Sequence, residues 1–410
     1  MGQSSRSVAN GGAVMALLVL AMFLNYVDRG SLSVAAPVLS KELDIGPARL
    51  GWLFSAFFWT YALGQIPSGW IVDKLPVRTV FAAGFLVWSA ATLATGFVGG
   101  FASLFVCRLV LGLGESVAYP ACSRILVRSV PEERRGVANS WIDAATKTGP
   151  AVSMLLGGFL VDAWGWRWLF WIAGAISLLW LPLWLALYRE SGGSGPAVEE
   201  RAAVSFGEIL SRREAWGTSL AMFTLGYVWY LLLSWLPTYL VKARGFSMQR
   251  TAVMGALPLA LMALGTLAAA WISDRLVARA GGDAQVRRRF LIAGLALTAL
   301  VLPAAAVVEN ASLSLALLAA AHMTLGLFAS NVWAVTQTLA GPAAAGRWTG
   351  IQNAVGNMGG VVSPLLTGIA VERTGSYLPA FASAAVMALL GAICLWLLVP
   401  RVAPVRWTEA

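Results

Sequence analysis

The sequence predicts an all-α integral membrane protein with twelve transmembrane helices. Hydrophobic residues make up 59% of the 410 residues and charged residues only 12%, which lies outside the range of soluble globular proteins. About twelve apolar stretches approach or exceed the roughly 20 residues that a helix needs to cross a bilayer. These stretches are continuous and do not alternate between apolar and polar positions, so they do not indicate the strands of a membrane barrel.

The predicted spans follow one another along the whole chain. Their boundaries are 13–37, 50–72, 78–98, 101–127, 137–162, 167–188, 215–241, 251–273, 290–308, 312–340, 347–371 and 378–399. Only Arg6 precedes the first stretch, and Asp28 and Arg29 interrupt it, so we expect a retained span and not a cleaved signal peptide. The three cysteines lie inside spans, without the spacing of a metal site or a disulfide framework.

The distribution of basic residues predicts the orientation. With both termini in the cytoplasm, the inner loops and tails hold 19 of the 29 basic residues and the outer loops hold 7. We therefore expect a multi-pass protein of the inner (cytoplasmic) membrane with both termini cytoplasmic. The net charge of +10 is spread over these loops without a basic stripe interleaved with aromatic residues, so it does not indicate a nucleic-acid partner.

A polar segment divides the spans into two sets of six. The linker "RESGGSGPAVEERAAVSFGEILSRRE" at 189–214 contains a short amphipathic piece, SFGEIL, and separates residues 1–188 from residues 215–410. "GWIVDK" at 69–74 returns as "AWISDR" at 270–275, at the same place in each half. Parallel six-helix repeats related by pseudo-symmetry are the plan of many secondary transporters.

Ionisable side chains inside the spans are the strongest functional signal. At roughly 2.5 to 3.5 kcal/mol per central charge, leaving all of them unpaired would cost on the order of 15 to 20 kcal/mol. They must therefore face one another or a watery cavity. The set comprises three acids and three bases: Asp28, Arg29, Arg108, Glu115, Asp143 and Lys147.

Helical spacing predicts which of these groups share a face. Arg108, Gly112, Glu115 and Tyr119 recur at intervals of four, three and four, which is one stripe of a helix. Asp143 and Lys147 are four residues apart, in the order that favours an ion pair. A structural pair and a substrate role are equally compatible with this spacing.

Three further spans carry milder polar stripes. They are Tyr61, Gln65 and Ser68 in the second span, Tyr227, Tyr230 and Ser234 in the seventh, and Asn353, Gly356, Asn357 and Gly360 in the eleventh. For the eleventh, close packing through small residues is a more common role than ligand contact. The tyrosines of the seventh span are more often packing or interfacial aromatics than ligand contacts.

Arg29 and Arg108 predict an anion site. A guanidinium group inside a bilayer serves no packing purpose that leucine would not serve better, and it offers a bidentate fork for a carboxylate or phosphate. Asp28 and Glu115 experience opposing effects of burial and of these arginines, which can bring proton exchange into reach. The resulting hypothesis is that protonation of the carboxylates frees the arginines for an anionic substrate, which couples inward proton flow to anion uptake.

The loop "GWIVDKLPVR" resembles the cytoplasmic loop motif of the major facilitator superfamily. Gly69, Asp73, Lys74 and Arg78 match that motif, whereas Pro76 replaces its second glycine. A plain loop turn with basic topology anchors is the alternative. The resemblance implies the major facilitator fold, and a cytoplasmic gate motif of Gly69, Asp73, Lys74 and Arg78 with Asp274 and Arg275 of the second copy.

Longer strings resemble the anion:cation symporter family, whose members include hexuronate, galactonate, tartrate and phthalate permeases. These strings are "NYVDRGSLSVAAP", "FSAFFWTYALGQIPSGW", "RLVLGLGES", "LLLSWLPTYLVKARGFS" and "GIQNAVGNMGGVVSP". The resemblance implies proton-symport of an organic anion such as a sugar acid. It assigns proton coupling to Asp28 and Glu115, anion binding to Arg29, Tyr61 and Arg108, and a contact from the other half to Asn353 or Asn357. Lys147, as an intramembrane charge, and Tyr227, from its polar stripe, are further candidates for substrate binding.

One position departs from the family pattern. The sugar-acid members have small or neutral polar residues where this chain has Thr146 and Lys147. An exposed Lys147 would suit a dicarboxylate or a bulkier anion, whereas a Lys147 paired with Asp143 would change nothing.

Other functions fit the sequence less well. An exporter driven by proton antiport shares the fold, but its fifth-helix pattern fails here because Gly149-Pro150 lacks the Gly-Gly that should follow closely. A non-coupled channel or facilitator is a further alternative. The chain carries none of the common metal or nucleophile motifs of enzymes and has a single histidine, so we expect no enzyme, no metal and no cofactor other than the coupling proton. The expected partners are a small organic anion and the lipid bilayer, for a protein that functions as a monomer.

Overall fold

The chain folds almost entirely into helices. The computed structural model describes residues 2–130, 132–189 and 204–407, and this part of the chain contains helices, turns and short loops but no strand. The helices in order are α1 Gly2–Glu42, α2 Pro47–Lys74, α3 Val77–Thr95, α4 Phe101–Glu115, α5 Ala118–Ser129, α6 Glu132–Trp164, α7 Trp166–Leu187, α8 Phe206–Leu210, α9 Arg213–Lys242, α10 Met248–Arg279, α11 Gln285–Val307, α12 Ala311–Ala329, α13 Val332–Thr374 and α14 Leu378–Leu398. The predicted all-α class is confirmed.

Most of these helices can cross a membrane. Within the described residues, ten segments are long and apolar enough for a span by length and composition. The second and fifth predicted spans fall in α2 and α6, which have 28 and 33 residues and therefore sufficient length, but carry more polar side chains. The protein is thus a multi-pass membrane protein, and the count of twelve spans stays a prediction.

Three predicted spans have boundaries that hydropathy does not reveal. The fourth span is divided into α4 and α5 by a turn at Ser116 and Val117. The tenth begins in α12, passes a turn at Ser330 and Asn331, and ends in α13. Within α13, Gly341 has φ +63°, a conformation that residues with a Cβ rarely adopt, and this kink separates the tenth span from the eleventh.

The described residues form two compact units. The first unit contains residues up to 195 together with 234–256, and the second contains 196–233 together with the residues from 257 onwards. The division of the chain at residues 188 and 215 stays a prediction. Residues 190–203 of the predicted linker lie outside the described residues, whereas the SFGEIL piece forms α8, capped by Ser205, whose hydroxyl accepts a hydrogen bond from the Glu208 amide at 3.1 Å.

An aromatic cluster between α3 and α7 stabilises the first unit. The Phe85 and Trp180 rings stack with centroids 4.0 Å apart, and the Trp180 ring stacks in turn on Trp184 at 5.1 Å. Both indole groups also donate hydrogen bonds, Trp180 to the Leu17 carbonyl and Trp184 to the Arg78 carbonyl, at 3.0 Å each. Because buried indole N–H groups need partners, these bonds fix α7 against α1 and against the start of α3.

Close packing of α3 and α7 depends on Gly174. A Cβ atom at Gly174 would lie 2.6 Å from the backbone nitrogen of Leu93 and 2.7 Å from its Cβ, so α7 would have to move. We expect Gly174→Ala to lower the melting temperature of the detergent-solubilised protein, with an overpacking cost of about 1–3 kcal/mol. Gly350→Ala is the matched control, because a Cβ at that helical position meets no atom within 4 Å. Equal melting temperatures for the two variants would contradict the prediction.

Candidate functional site

The adjacent charges of α1 point to different surroundings. Successive residues of a helix are about 100° apart, so Asp28 and Arg29 need not pair with each other. The Arg29 Nε donates instead to the Glu115 Oε2 of α4 at 2.7 Å. The two side chains are only 3% and 0% exposed. This buried ion pair joins two helices that are 86 residues apart in sequence.

Aromatic rings surround the Arg29 guanidinium. Its central carbon lies 4.6 Å from the Tyr26 ring centroid, 4.9 Å from that of Phe57 and 4.4 Å from that of Tyr61. The Phe57 and Tyr61 rings of α2 stack on each other at 5.3 Å. A guanidinium is attracted to ring faces and is weakly hydrated, so this cage holds the cation in place without satisfying its hydrogen-bonding capacity for a carboxylate.

Arg108 approaches the same cluster from α4. Its guanidinium lies 5.0 Å from the Phe57 ring centroid, so a single ring contacts both buried arginines. Arg108 is 5% exposed, and its Nε donates a long hydrogen bond of 3.4 Å to the Leu53 carbonyl. It lies close enough to Glu115 and Asp28 for electrostatic attraction, yet it forms no ion pair within the described chain.

Asp28 differs from Glu115 in having no bonded cation among the described residues. It is 2% exposed, and among the described residues no hydrogen-bond donor reaches either of its carboxylate oxygens. The Thr92 hydroxyl of α3 lies nearby, outside hydrogen-bonding geometry. Buried polar atoms of Asn25 and Ser89 also lack partners within the described residues. Asp28 is therefore a buried acidic group without a structural ion-pair partner.

Helices α2 and α4 pack closely near Phe57, whose ring contacts both arginines. Gly112 allows the α4 backbone to contact the Phe57 carbonyl, because a Cβ atom there would overlap it. The Thr60 hydroxyl donates to the Leu109 carbonyl at 2.6 Å, and the Ser68 and Ser116 hydroxyls are 2.7 Å apart. The predicted stripe in the fourth span is thus partly confirmed, since Gly112 and Glu115 face α2 and α1. The turn at Ser116 interrupts the stripe before Tyr119.

Tyr119 nevertheless contacts these residues through Tyr26, which was not among the predicted site residues. The Tyr26 and Tyr119 hydroxyls are 3.1 Å apart. Tyr26, Phe57, Asn25 and Thr92 were all missed, although two of them had a usable signal. Tyr26 and Asn25 precede Arg29 and Asp28 by three residues each, which is the spacing of a shared helix face.

Lys147 and Asp143 of α6 form an ion pair. The Lys147 Nζ donates to the Asp143 Oδ1 at 2.5 Å, and the side chains are 19% and 59% exposed. Lys147 shares its helix face with Met154, which faces Gly255 of α10, whereas Gly149 of α6 packs on α1. Lys147 therefore does not point towards α1, and the sequence alone does not separate these faces, because it does not reveal the neighbours of α6.

The candidate residues of the second unit form hydrogen bonds with neighbouring helices. The Tyr230 hydroxyl donates to the Asn357 Oδ1 at 3.2 Å, and the Asn357 Nδ2 donates to the Asn353 carbonyl at 3.0 Å. Tyr227 is fully buried, and its hydroxyl lies 3.1 Å from the Ser383 hydroxyl. These bonds join α9 to α13 and α14. Contact of Tyr227, Asn353 or Asn357 with a substrate stays a prediction.

The two copies of the predicted gate motif differ in their contacts. In the second copy, Asp274 accepts from Arg287 at 2.6 Å and Arg275 stacks on a tryptophan ring at 3.5 Å. In the first copy Asp73 is exposed and forms no ion pair within the described chain, and Lys74 stacks on Trp70 at 4.4 Å. A role of either copy as a gate stays a prediction.

The two remaining residues of the first copy are Arg78 and Gly69. The Arg78 guanidinium donates to the Leu185 carbonyl at the end of α7. A Cβ atom at Gly69 would meet no atom within 4 Å, so packing does not require a glycine there.

Comparison with known proteins identifies the family of this chain. The model of the Major Facilitator Superfamily matches residues 18–282 and 282–410. A probable sulfoacetate transporter of Cupriavidus necator is 32% identical over 390 residues, covering 91% of this chain and 90% of its own. A D-galactonate transporter of Escherichia coli is 28% identical, covering 94% of both chains, and a hexuronate transporter of Bacillus subtilis is 27% identical, covering 93% and 92%.

Solved structures agree with this fold. A bacterial homologue of the human lysosomal transporter Spinster superposes with a TM-score of 0.81 at 20% identity, covering 97% of this chain and 98% of that one. A nucleoside transporter superposes with a TM-score of 0.73 at 15% identity, covering 93% and 98%. At these identities the superpositions bear on the fold alone.

Proposed function

The chain belongs to the Major Facilitator Superfamily, as a membrane transporter and not an enzyme, and we propose that it is a proton-coupled symporter of a small organic anion. The buried Arg29–Glu115 pair beside the unpaired acid Asp28 carries this proposal. The relatives named above bear the names of transporters for sulfoacetate, galactonate and hexuronate, all of which are organic anions.

Anion binding begins with Arg29 and Arg108. Both guanidiniums contact the Phe57 ring, and their fixed planes offer bidentate hydrogen bonds to one carboxylate or sulfonate. Arg29 is paired with Glu115, so a substrate anion competes with Glu115 for it. Tyr61, which stacks on Arg29, orients the guanidinium and supplies a hydroxyl at the edge of the cage.

Coupling follows from charge conservation in a buried site. Removing Glu115 from Arg29 leaves an uncompensated buried charge, which costs about 3–5 kcal/mol. A proton on Glu115 removes the negative charge there, while the substrate anion supplies a replacement partner for Arg29. Each event lowers the cost of the other, so proton and anion bind together. Asp28, which has no bonded cation, takes up and passes the proton.

The direction of transport follows from the orientation. The excess of basic residues in alternate loops supports cytoplasmic termini in an inner membrane. With this orientation, a proton gradient directed inwards drives uptake of the anion into the cytoplasm.

Proteoliposomes test the function directly. Labelled candidate anions, beginning with sulfoacetate, galactonate and hexuronates, should exchange across the membrane in counterflow and accumulate when the outside is made acidic. Accumulation should stop when a protonophore dissipates the gradient, while exchange continues. Transport of an anion that ignores the pH gradient would contradict the coupling, and stabilisation of the purified protein only by neutral or cationic compounds would contradict the anion site.

Lys147 is proposed as a contact for a second anionic group. A partly exposed ion pair is worth about 0–1 kcal/mol, so a substrate anion can displace Asp143 from Lys147 at little cost. We expect Lys147→Gln to raise the KM of a dianionic substrate about five- to tenfold, which corresponds to about 1–1.4 kcal/mol, and to change that of a monoanion less than about twofold. Lys41→Gln, at the exposed end of α1, is the control. Equal effects on both substrates would show that the pair is only structural.

A further inference from the structure

A shallow cavity lies at the corner between α10 and α11 in the second unit. Its volume is about 350 Å³. Its walls come from the last two turns of α10 with the residue that follows, and from the first two turns of α11. The lining residues are Leu276, Arg279, Ala280, Val286, Arg289 and Phe290.

The other basic residues at this corner are engaged. Arg287 donates to Asp274 at 2.6 Å, and Arg288 donates to the Trp396 carbonyl at 2.8 Å. Arg275 stacks on a tryptophan ring at 3.5 Å. Arg287 and Arg288 thereby join α11 to α10 and α14, whereas Arg275 is held on its own helix.

Arg279 and Arg289 differ from these residues because their guanidiniums have no partner within the described chain. Within the part of the chain that the structure describes, neither forms a hydrogen bond, an ion pair or a ring contact, and both are exposed and line the same cavity. Two guanidiniums that share a cavity repel each other, and Arg289 also follows two further arginines in sequence. A bound anion would relieve this repulsion, and a phosphate group would accept hydrogen bonds from both guanidiniums.

The rest of the cavity is apolar and continues along both helices. Ile272 and Leu276 precede Arg279 by seven and three residues, so they lie on the same face of α10, and both are exposed. Leu297 follows Phe290 by seven residues on α11 and is 42% exposed. Each helix therefore presents an apolar stripe that leads to an arginine at its end. A free phosphate ion would not use these stripes, whereas a lipid with a phosphate headgroup and acyl chains matches both parts.

We propose that this corner binds the phosphodiester headgroup of an anionic phospholipid, with Arg279 and Arg289 on the phosphate and the acyl chains along α10 and α11. In the orientation proposed above, the corner faces the cytoplasmic leaflet, whose anionic lipids attract basic groups. This proposal does not depend on substrate binding or on proton coupling, because the lining residues belong to the second unit whereas Arg29 and Glu115 belong to the first.

Lipid binding is measured on the purified, delipidated full chain in detergent. Native mass spectrometry and melting temperatures are recorded during titration with phosphatidylglycerol, phosphatidylcholine and inorganic phosphate. We expect phosphatidylglycerol to bind and to raise the melting temperature, and phosphatidylcholine to do so much less. Arg279→Gln combined with Arg289→Gln should weaken phosphatidylglycerol binding about tenfold or more.

Two matched variants separate this site from a general charge effect. Arg401→Gln with Arg406→Gln removes two exposed charges outside the cavity lining and should leave phosphatidylglycerol binding within about twofold of the original. Arg279→Lys with Arg289→Lys keeps the charge and should retain part of the binding. Full binding by the Arg279/Arg289 double glutamine variant would overturn the proposal. So would equal loss in the control, or an equal shift with phosphatidylcholine or inorganic phosphate. None of these readouts needs a substrate or a pH gradient, so a failure here is distinct from a failure of the proposed transport.

Discussion

Arg29→Gln is expected to abolish both accumulation and exchange of the anion. The variant removes the guanidinium that pairs with Glu115 at 2.7 Å and that lies inside the Tyr26, Phe57 and Tyr61 cage. The proposed bidentate bond from Arg29 to the substrate anion is lost. We therefore expect the transport rate to fall at least about a hundredfold, which corresponds to about 2.7 kcal/mol. Counterflow of labelled substrate in proteoliposomes measures this loss.

The single variant also leaves Glu115 without its cation, so loss of transport must be separated from loss of folding. Arg29→Gln combined with Glu115→Gln removes both charges of the pair and should restore the melting temperature, because neither member is left buried without the other. It should still fail to transport. Arg49→Gln, whose guanidinium lies at 5.9 Å from the Phe101 ring near the start of α2, is the control and should transport normally. Exchange by the double variant would remove Arg29 from the substrate site.

Asp28→Asn is expected to separate exchange from accumulation. Asp28 is buried without a bonded donor in the described chain, so the amide fits its place without breaking an ion pair. The variant cannot take up a proton, whereas Arg29 and Arg108 are unchanged. We therefore expect counterflow to remain within about threefold of the original, and accumulation driven by an inward pH gradient to disappear.

The control for this variant is Asp44→Asn. Asp44 is exposed and has φ +49°, a conformation that asparagine also tolerates, so its accumulation should be unchanged. Gradient-driven accumulation by Asp28→Asn at the original level would assign coupling elsewhere. Glu115→Gln would then be the variant to examine, since it frees Arg29 permanently.

The helix pattern was accessible from sequence because the bilayer imposes it. Backbone groups in hydrocarbon must be satisfied within each segment, so long apolar runs can only be helices. The turns and kinks that interrupt the helices were harder to predict. The turn at Ser116 and Val117 lies inside one predicted span, and the kink at Gly341 depends on one glycine among many. Hydropathy averages over such single positions.

The candidate site was accessible in part for a similar energetic reason. Charged groups within a span are costly, so Asp28, Arg29, Arg108 and Glu115 were conspicuous before any fold was known. Uncharged members such as Phe57 carry no such cost. Phe57 is one of four phenylalanines and tryptophans between residues 54 and 59, and nothing in that run distinguishes the ring that touches both arginines.

The sequence by itself determined that this protein lies in a bilayer, that it is helical, and which charges within its spans need a functional explanation. It could do so because the bilayer penalises charges and unpaired backbone groups one residue at a time. Only the tertiary structure decided the partners. Arg29 pairs with Glu115 and not with its neighbour Asp28, and the Lys147–Asp143 pair, which the spacing already favoured, lies on a face of α6 turned away from α1. Partner choice depends on helix rotation and on close approaches such as that at Gly112, which are set by packing between segments distant in the chain.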